Sequence, residues 1–339
     1  MVRLKIALDV MGGDFAPRET VLGALMAAEQ TNAEILLVGD STQINKILNE
    51  KGHGAHENLR VIHTTEVITN DDKPTTAIRK KKDSSMVKCF ELVASGKADA
   101  MISAGNTGAL LAGSIHYIKR IDGILRPALA PILPGERGEV VLIDGGANTN
   151  IKPVNLLQFA VMGSVYSEYV LKKKSPEVGL LNVGAEEGKG NELSRHAFDI
   201  IKDSGLNFLG NLEARDALTG KADVIVCDGF SGNILLKAIE GAGMVLFDNI
   251  KKIIKRNVFS KIGALMMKKG LMEFKAKYDY KENGGAPFLG VGKCVMKAHG
   301  SSRATSICKT ILQSCDFVSS GAVLIIEKKL KEIGSLKEG

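Results

Sequence analysis

Asp228, Gly229, Gly232 and Asn233 stand together where an apolar run gives way to a helical pattern, in VIVCDGFSGNILLKA from Val224 to Ala238. Aspartate and asparagine among glycines at such a seam suit a small anion, because the backbone can approach it closely and a helix start offers N–H groups. Three other stretches end the same way. AMISAGNTGAL carries Ser103 and Asn106, VVLIDGGANTN carries Asp144 and Asn148, and VGLLNVGAEEGKGN carries Glu186, Glu187, Lys189 and Asn191. LNFLGNLE adds Asn211 with Glu213, and His299 precedes Gly-Ser-Ser near the end of another apolar stretch. Each has a plainer reading: for Gly105 and Gly108 it is tight helix packing, which the polar cluster at the end of the preceding strand disfavours, and a lone histidine is more often a packed or surface residue than a proton carrier. Lys189, near a helix start, is placed to act as a fixed cation.

The elements that position these residues read as alternating strands and helices. Arg3 to Asp9, Glu34 to Val38 and Leu59 to Ile62 are strands, separated by helices over about Arg18 to Gln30 and Ser41 to Glu50. That order predicts an α/β fold with a parallel sheet and helices on both faces. Ligands in such folds bind at the carboxyl ends of strands, so the polar turns are expected along one sheet edge, building one site. After Asp228, the residues Ile234, Leu235, Ala238, Ile239, Ala242 and Leu246 repeat at helical spacing. No G-x-G-x-x-G follows the first strand, which counts against a dinucleotide-binding dehydrogenase. GAEEGKGNEL is one residue short of a Walker A spacing and has no Ser or Thr after Lys189, so it gives no support for Mg-nucleotide binding.

With 339 residues, 45% hydrophobic and 24% charged, the chain is long enough for a large core or two lobes. No window is expected to hold an apolar run of spanning length. Asp9 interrupts the first apolar patch too early for a secretory signal. Cys89, Cys227, Cys294, Cys308 and Cys315 form no metal-ligand spacing and suit a reducing cytoplasm. The net charge of +7 is local: Lys251 to Lys281 is formally +8, which leaves the rest of the chain at −1. Tryptophan is absent and the cations are not interleaved with stacking aromatics, so no nucleic acid partner is expected. In DDKPTTAIRKKKDSSM, Pro74 starts a helix bearing Arg79, Lys80, Lys81 and Lys82. That run is either a solvated face or, with Ser84 and Ser85, a set of groups for an anion or an acidic carrier.

In order, the segments DVMGGDFAP, DDKPTTAIRKKKDSSM, SAGNTGALLAG, GILRPALAP, DGGANTN, NVGAEEGKGNEL, FLGNLE, DGFSGNILLKAIEG, GGAPFLGVGK and HGSS closely resemble the phosphate acyltransferase PlsX family of bacteria. Only Val10 and the pair Thr149-Asn150 depart from the pattern, and neither touches the polar part of a motif. The resemblance implies one acyltransferase domain over 1–339. Its core would be a doubly wound three-layer α/β/α structure, similar to isopropylmalate dehydrogenase and phosphotransacetylase, with a protruding amphipathic helical arm at about 234–281. It implies transfer of a fatty acyl group from acyl carrier protein to inorganic phosphate, giving an acyl phosphate for phospholipid synthesis. A membrane glycerol-3-phosphate acyltransferase would use that product, and the enzyme would be a homodimer with no cofactor and no metal.

Inorganic phosphate is already an anionic nucleophile and a thiolate leaves readily, so this chemistry needs positioning and oxyanion donors more than a strong base. On the resemblance, Lys189 holds phosphate or the oxyanion and Asn233 orients it. Asp228 and His299 position groups or move protons, while Ser103, Asn106, Asp144, Asn148, Glu187, Asn211, Gly229 and Gly232 line the pocket. Cys227 is expected to be an inert buried thiol, with phosphate attacking directly. For the arm, the first helix is expected to be a core helix with a solvated face or half of a dimer interface. Asn257 to Phe274 is expected to face anionic membrane, making the enzyme cytoplasmic and peripherally attached. Two rival readings are a phosphotransacetylase-like enzyme acting on acyl-CoA and a non-enzymatic membrane-binding protein; the second leaves the strand-end motifs unexplained.

Overall fold

The computed structural model describes residues 3–52, 56–278 and 284–335. The first part of the chain forms β1 (Lys5–Asp9), α1 (Arg18–Ala28), β2 (Glu34–Gly39), α2 (Ser41–Glu50), β3 (Leu59–His63), α3 (Pro74–Lys80), α4 (Ser85–Ala94), β4 (Ala100–Ser103) and α5 (Thr107–Gly113). The middle forms β5 (Ala128–Leu129), β6 (Ile132–Gly135), β7 (Gly138–Ile143), α6 (Pro153–Tyr169), β8 (Val178–Asn182), α7 (Glu192–Lys202), β9 (Phe208–Glu213) and β10 (Val224–Val226). Three helices follow, α8 (Gly229–Lys255), α9 (Val258–Met266) and α10 (Lys268–Tyr278), and the chain closes with β11 (Ala286–Leu289), β12 (Cys294–Lys297), α11 (Ala304–Ser320) and α12 (Ala322–Ser335).

The strands divide between two sheets. One has the order β3-β2-β1-β4-β12-β11-β5 and the other β6-β7-β10-β8-β9. Pairing is parallel except at β12-β11, β11-β5 and β6-β7. This corrects the expectation of a single sheet edge: the turn after β4 belongs to the first sheet, and those after β7, β8 and β10 belong to the second. Strands buried on both faces are near-continuous apolar runs in either sheet, so sequence alone does not say which sheet each joins.

Helix α6 explains how the two sheets share a core. It packs on β7 and β10 and against α7 and α12, and it is buried continuously from Asn155 to Ser167. A helix without a polar face belongs inside. One cluster of buried side chains runs from Ile6 and Leu8 in β1 through Phe159 and Tyr166 in α6 to Val224 and Val226 in β10.

Helix α8 departs from expectation. It has 27 residues, about 40 Å at 1.5 Å per residue, yet only Gly229, Gly232 and Leu235 are buried. As a core helix it therefore fails beyond its second turn. Helical periodicity identifies an apolar stripe but not whether a neighbour covers it. One window of α8 reaches a mean hydropathy of 1.3, so by length and composition it also corrects the expectation that no segment could span a membrane; its buried first turn ties it to the α/β core. Phe274 of α10 packs 5.5 Å from Phe247 of α8 and 5.0 Å from Tyr278, so the arm doubles back. Asp279 to Lys281, the expected end of the arm, lie outside the described residues.

Candidate active site

The DGGAN turn after β7 and the first turn of α8 are fitted to one another. Asp144 is fully buried, and its carboxylate accepts from the backbone N–H groups of Leu129, Gly146, Ala147 and Asn148 and from the Asn148 side chain, at 2.7–3.1 Å. Burial pushes the Asp144 carboxyl above its ordinary range, and the bonds from Ala147, Asn148, Gly146 and Leu129 pull it back. Five N–H donors require an ionised acceptor, so Asp144 builds the turn and has no lone pair to spare for a ligand. Asn148 donates to Pro127 O at 2.7 Å, and its own carbonyl accepts from Gly229 N at 2.7 Å.

The two glycines of DGFSG permit this contact. A Cβ on Gly232 would sit 2.0 Å from Asp144 O, and one on Gly229 would sit 2.7 Å from Asn148 O. Asp228 caps α8, its Oδ1 accepting from Phe230 N and Ser231 N and its Oδ2 from the Ser231 hydroxyl. The expectation that the start of α8 offers free N–H groups is thereby corrected: Asn148 and Asp228 take them.

Asn233 lies one turn further on, with its side chain against Gly146, whose φ of +134° and missing Cβ make room for it. It borders a cleft of about 780 Å³. Polar groups reach this cleft from Thr107, Gly145, Gly146, Asn233, Lys297 and His299, and its apolar wall comes from Leu129, Pro131, Ile132, Leu133, Leu236 and Ile239. Lys237 and Glu240, one turn apart on α8, form an ion pair of 2.7 Å at its edge. The Nδ1 of His299 accepts from Ser301 N at 3.2 Å and lies 2.8 Å from the Ser301 hydroxyl. Partial burial lowers the pKa of His299.

The remaining residues singled out in the sequence do not line this cleft and sit in supporting places. Ser103 donates to Asp9 Oδ2 and Ser85 to Asp9 Oδ1, each at 2.6 Å, inside the first sheet. Asn106 caps α5 through Ala109 N and donates to the carbonyls of Thr69, Asn70 and Asp72. Asn211 and Asn182 brace the loop after β8: Asn211 Nδ2 donates to Glu186 O, and Asn182 Nδ2 donates to Asn211 Oδ1 and Lys189 O. Glu187 pairs with Lys202 at 2.9 Å on the exposed side. Lys189 is exposed on that loop, beside a smaller hollow of about 370 Å³ lined by Asn182, Gly190, Asn191, Cys227, Asp228 and Ser231 among others. The first three turns of α8, with their cap, thus have Asp228 and Ser231 toward one hollow and Asn233 and Lys237 toward the other.

The Cys227 thiol is buried, 3.6 Å from Asp144 O, and burial raises its pKa well above the usual thiol range. It has little thiolate character. Of the four cations from Arg79 to Lys82, α3 carries only Arg79 and Lys80; Lys81 pairs with Asp72 at 2.6 Å and Lys82 donates to the Tyr117 hydroxyl at 2.8 Å. Ser84 caps α4 through Val87 N.

Sequence reasoning missed Lys297. It ends β12, where Lys297 pairs in register with Ser103, which pairs with Asp9 on the other side. Three neighbouring parallel strands thus end their apolar runs on Asp9, Ser103 and Lys297. That common ending is the signal available in the sequence, and it becomes readable once the strand order is known.

Residues 4–324 match a protein family described as "Fatty acid synthesis protein". Over 331 residues the chain is 49% identical to a phosphate acyltransferase of Thermoanaerobacterium thermosaccharolyticum, covering 98% of both chains. It is 47% identical to one from Brevibacillus brevis, covering 97% of this chain and 98% of the relative. Its fold is similar to that of a phosphotransacetylase from Streptococcus pyogenes, with a TM-score of 0.64, 19% identity and 94% of each chain covered. A 4-hydroxythreonine-4-phosphate dehydrogenase from Klebsiella pneumoniae shares it at a TM-score of 0.52 and 14% identity, covering 94% of this chain and all of that one. At these identities the solved structures speak to the fold alone.

Proposed function

Because this chain belongs to the fatty acid synthesis protein family, matching its phosphate acyltransferases over nearly the whole length, we propose that the cleft at Asn233 is where its acyl transfer to phosphate takes place and that the acyl donor is acyl carrier protein. The observation that carries the reading is the mixed lining of that cleft. Polar groups from Asn233, His299, Gly145 and Gly146 suit a phosphate and a thioester carbonyl, and the wall from Leu129 to Leu133 with Leu236 and Ile239 suits an acyl chain.

The reaction balances without an external acid or base. A phosphate oxygen adds to the thioester carbonyl, the carbon–sulfur bond breaks, and the proton carried by hydrogen phosphate ends on the departing thiolate. The protein's task is to align the two substrates and to stabilise the oxyanion. Asn233 orients the reacting group from the second turn of α8, while Lys189 lies on the loop after β8, outside the lining of this cleft. Asp228 and His299 position neighbouring groups. Attack is direct, since the Cys227 thiol is buried and held protonated.

The arm extends the same reading. Val258, Phe259, Ile262, Leu265, Met266 and Met267 are more than half exposed, beside exposed Lys255, Arg256, Lys261, Lys268 and Lys269. Cations near anionic lipid contribute about 1 kcal/mol each, so such a surface supports reversible attachment to a membrane, where a glycerol-3-phosphate acyltransferase would receive the product. The uncovered stripe of α8 suits the matching helix of a second copy.

The test is phosphate-dependent release of thiol from a long-chain acyl carrier protein and from the matching acyl-CoA. Faster turnover of the carrier substrate is expected. Equal turnover of acyl-CoA would point to a phosphotransacetylase-like specificity. In the same mixture without phosphate, mass spectrometry should find no acyl group on Cys227.

A further inference from the structure

The cleft holds a lysine that neither the family match nor the sequence motifs single out. Lys297 lines it together with Thr107, Gly146, Asn233 and His299. Its ammonium donates to Ala104 O at 3.1 Å and to Ala298 O. Two of its three hydrogens are therefore anchored to backbone, and no protein acceptor takes the third among the described residues. The backbone carbonyls hold the charge in place without neutralising it. The carboxylates that act on it are Asp14 and Asp9; Asp9 accepts from Ser85 and Ser103, and neither is within ion-pair distance of the ammonium among the described residues. Lys255, Arg256 and Lys261 lie exposed on the arm, and Lys5, Lys88 and Lys202 sit in surface ion pairs. Lys297 instead ends a buried strand, behind the apolar residues Val295 and Met296.

A cation held this way has the properties required of an anion anchor. Its position is set before the ligand arrives, its surroundings are poor in water, and one N–H remains for the ligand. We propose that the Lys297 ammonium holds inorganic phosphate in the cleft, which leaves the thioester oxyanion to Asn233. This rests on the reading of the cleft as the reaction site and separates the two anions of the reaction between Lys297 and Asn233.

The charge on Lys297 is itself sensitive to pH. Burial lowers its pKa to about 8, with Asp14 and Asp9 opposing the shift and Lys237 of α8 adding to it. His299 also faces the cleft, and its own pKa is lowered by burial. As pH rises through about 8, the ammonium loses its proton and phosphate loses its anchor. Affinity for phosphate should fall there while affinity for the acyl donor is retained.

Steady-state kinetics with each substrate varied test this. Lys297→Met should raise KM for phosphate roughly 10- to 100-fold, leave KM for the acyl donor near its original value, and recover part of the loss with Lys297→Arg. Asn233→Ala should instead lower kcat with little change in KM for phosphate. In the unaltered protein, KM for phosphate should climb from neutral to alkaline pH, a measurement that stands even if Lys297→Met does not fold. An unchanged phosphate KM in folded Lys297→Met, or a flat pH dependence, would overturn the role of Lys297. Asn233→Ala is the control for the underlying reading: full turnover in that variant would remove the cleft as reaction site and this inference with it.

Discussion

The base of α8 and the rest of the arm follow one another in the chain, yet they obey different rules. At the base, Gly229 and Gly232 are buried against the DGGAN turn with no space for a methyl group. Further out, Gly241 and Gly243 have nothing within 4 Å of where a Cβ would lie, and Leu246, Phe259 and Met266 are 63%, 85% and 85% exposed. Burying one such side chain is worth about 1.5–3 kcal/mol, so a protein that leaves this many uncovered has a surface made for something else. Apolar residues do not define a core by themselves: at the base the partner is the protein's own backbone, and along the arm these side chains stay exposed.

The sharpest way to test that contrast is to add one methyl group to each region. Gly232→Ala would drive Cβ to 2.0 Å from Asp144 O and should cost about 3 kcal/mol or more, or prevent folding. Gly241→Ala should leave the fold intact and raise stability by up to about 1 kcal/mol through helix propensity. Thermal melts of the two variants decide the matter, and equal melting temperatures would erase the distinction.

Function should divide along the same line. Asn233→Ala should lower turnover roughly 10²- to 10³-fold, as loss of an oxyanion donor does elsewhere, while leaving vesicle binding intact. Leu265→Asp with Met266→Asp should abolish salt-sensitive binding to anionic vesicles while leaving turnover on soluble substrate largely unchanged. Indifference of the unaltered protein to such vesicles at low salt would make the arm a purely structural element. The smallest effect concerns the caps. Asp228→Ala removes an acceptor for Phe230 N, Ser231 N and the Ser231 hydroxyl, and should cost about 1 kcal/mol. Asn257→Ala removes one bond to Ser260 N at the outer end and should cost less, as read by denaturant midpoints.

Much of the fold was legible in the sequence because apolar runs and turn residues are local signals. The strands ending at Asp9, Ser103 and Ile143 and the start of α8 could each be read from a dozen residues. Their assignment to two sheets could not, since β4 and β10 are both short, fully buried runs and only pairing at long range tells them apart. At the site, Asn233 and His299 were legible from their turns and border the cleft. Asp144 read as a pocket residue, because nothing in the sequence announces that five N–H groups of the surrounding turn and strand end will surround it. Lys297 escaped notice for the opposite reason. A lysine after a strand ordinarily belongs to solvent, and only its register with Ser103 shows that this one does not.

In mechanical terms α8 is a beam clamped at one end. Gly229, Gly232 and Leu235 are the clamp, and Gly241 and Gly243, with open space around them, form a compliant section just beyond it. Paired glycines are where helices bend most readily. A compliant section takes up most of the deflection, so a tilt of the outer helices is concentrated there and displaces Asn233 beside Gly146 little.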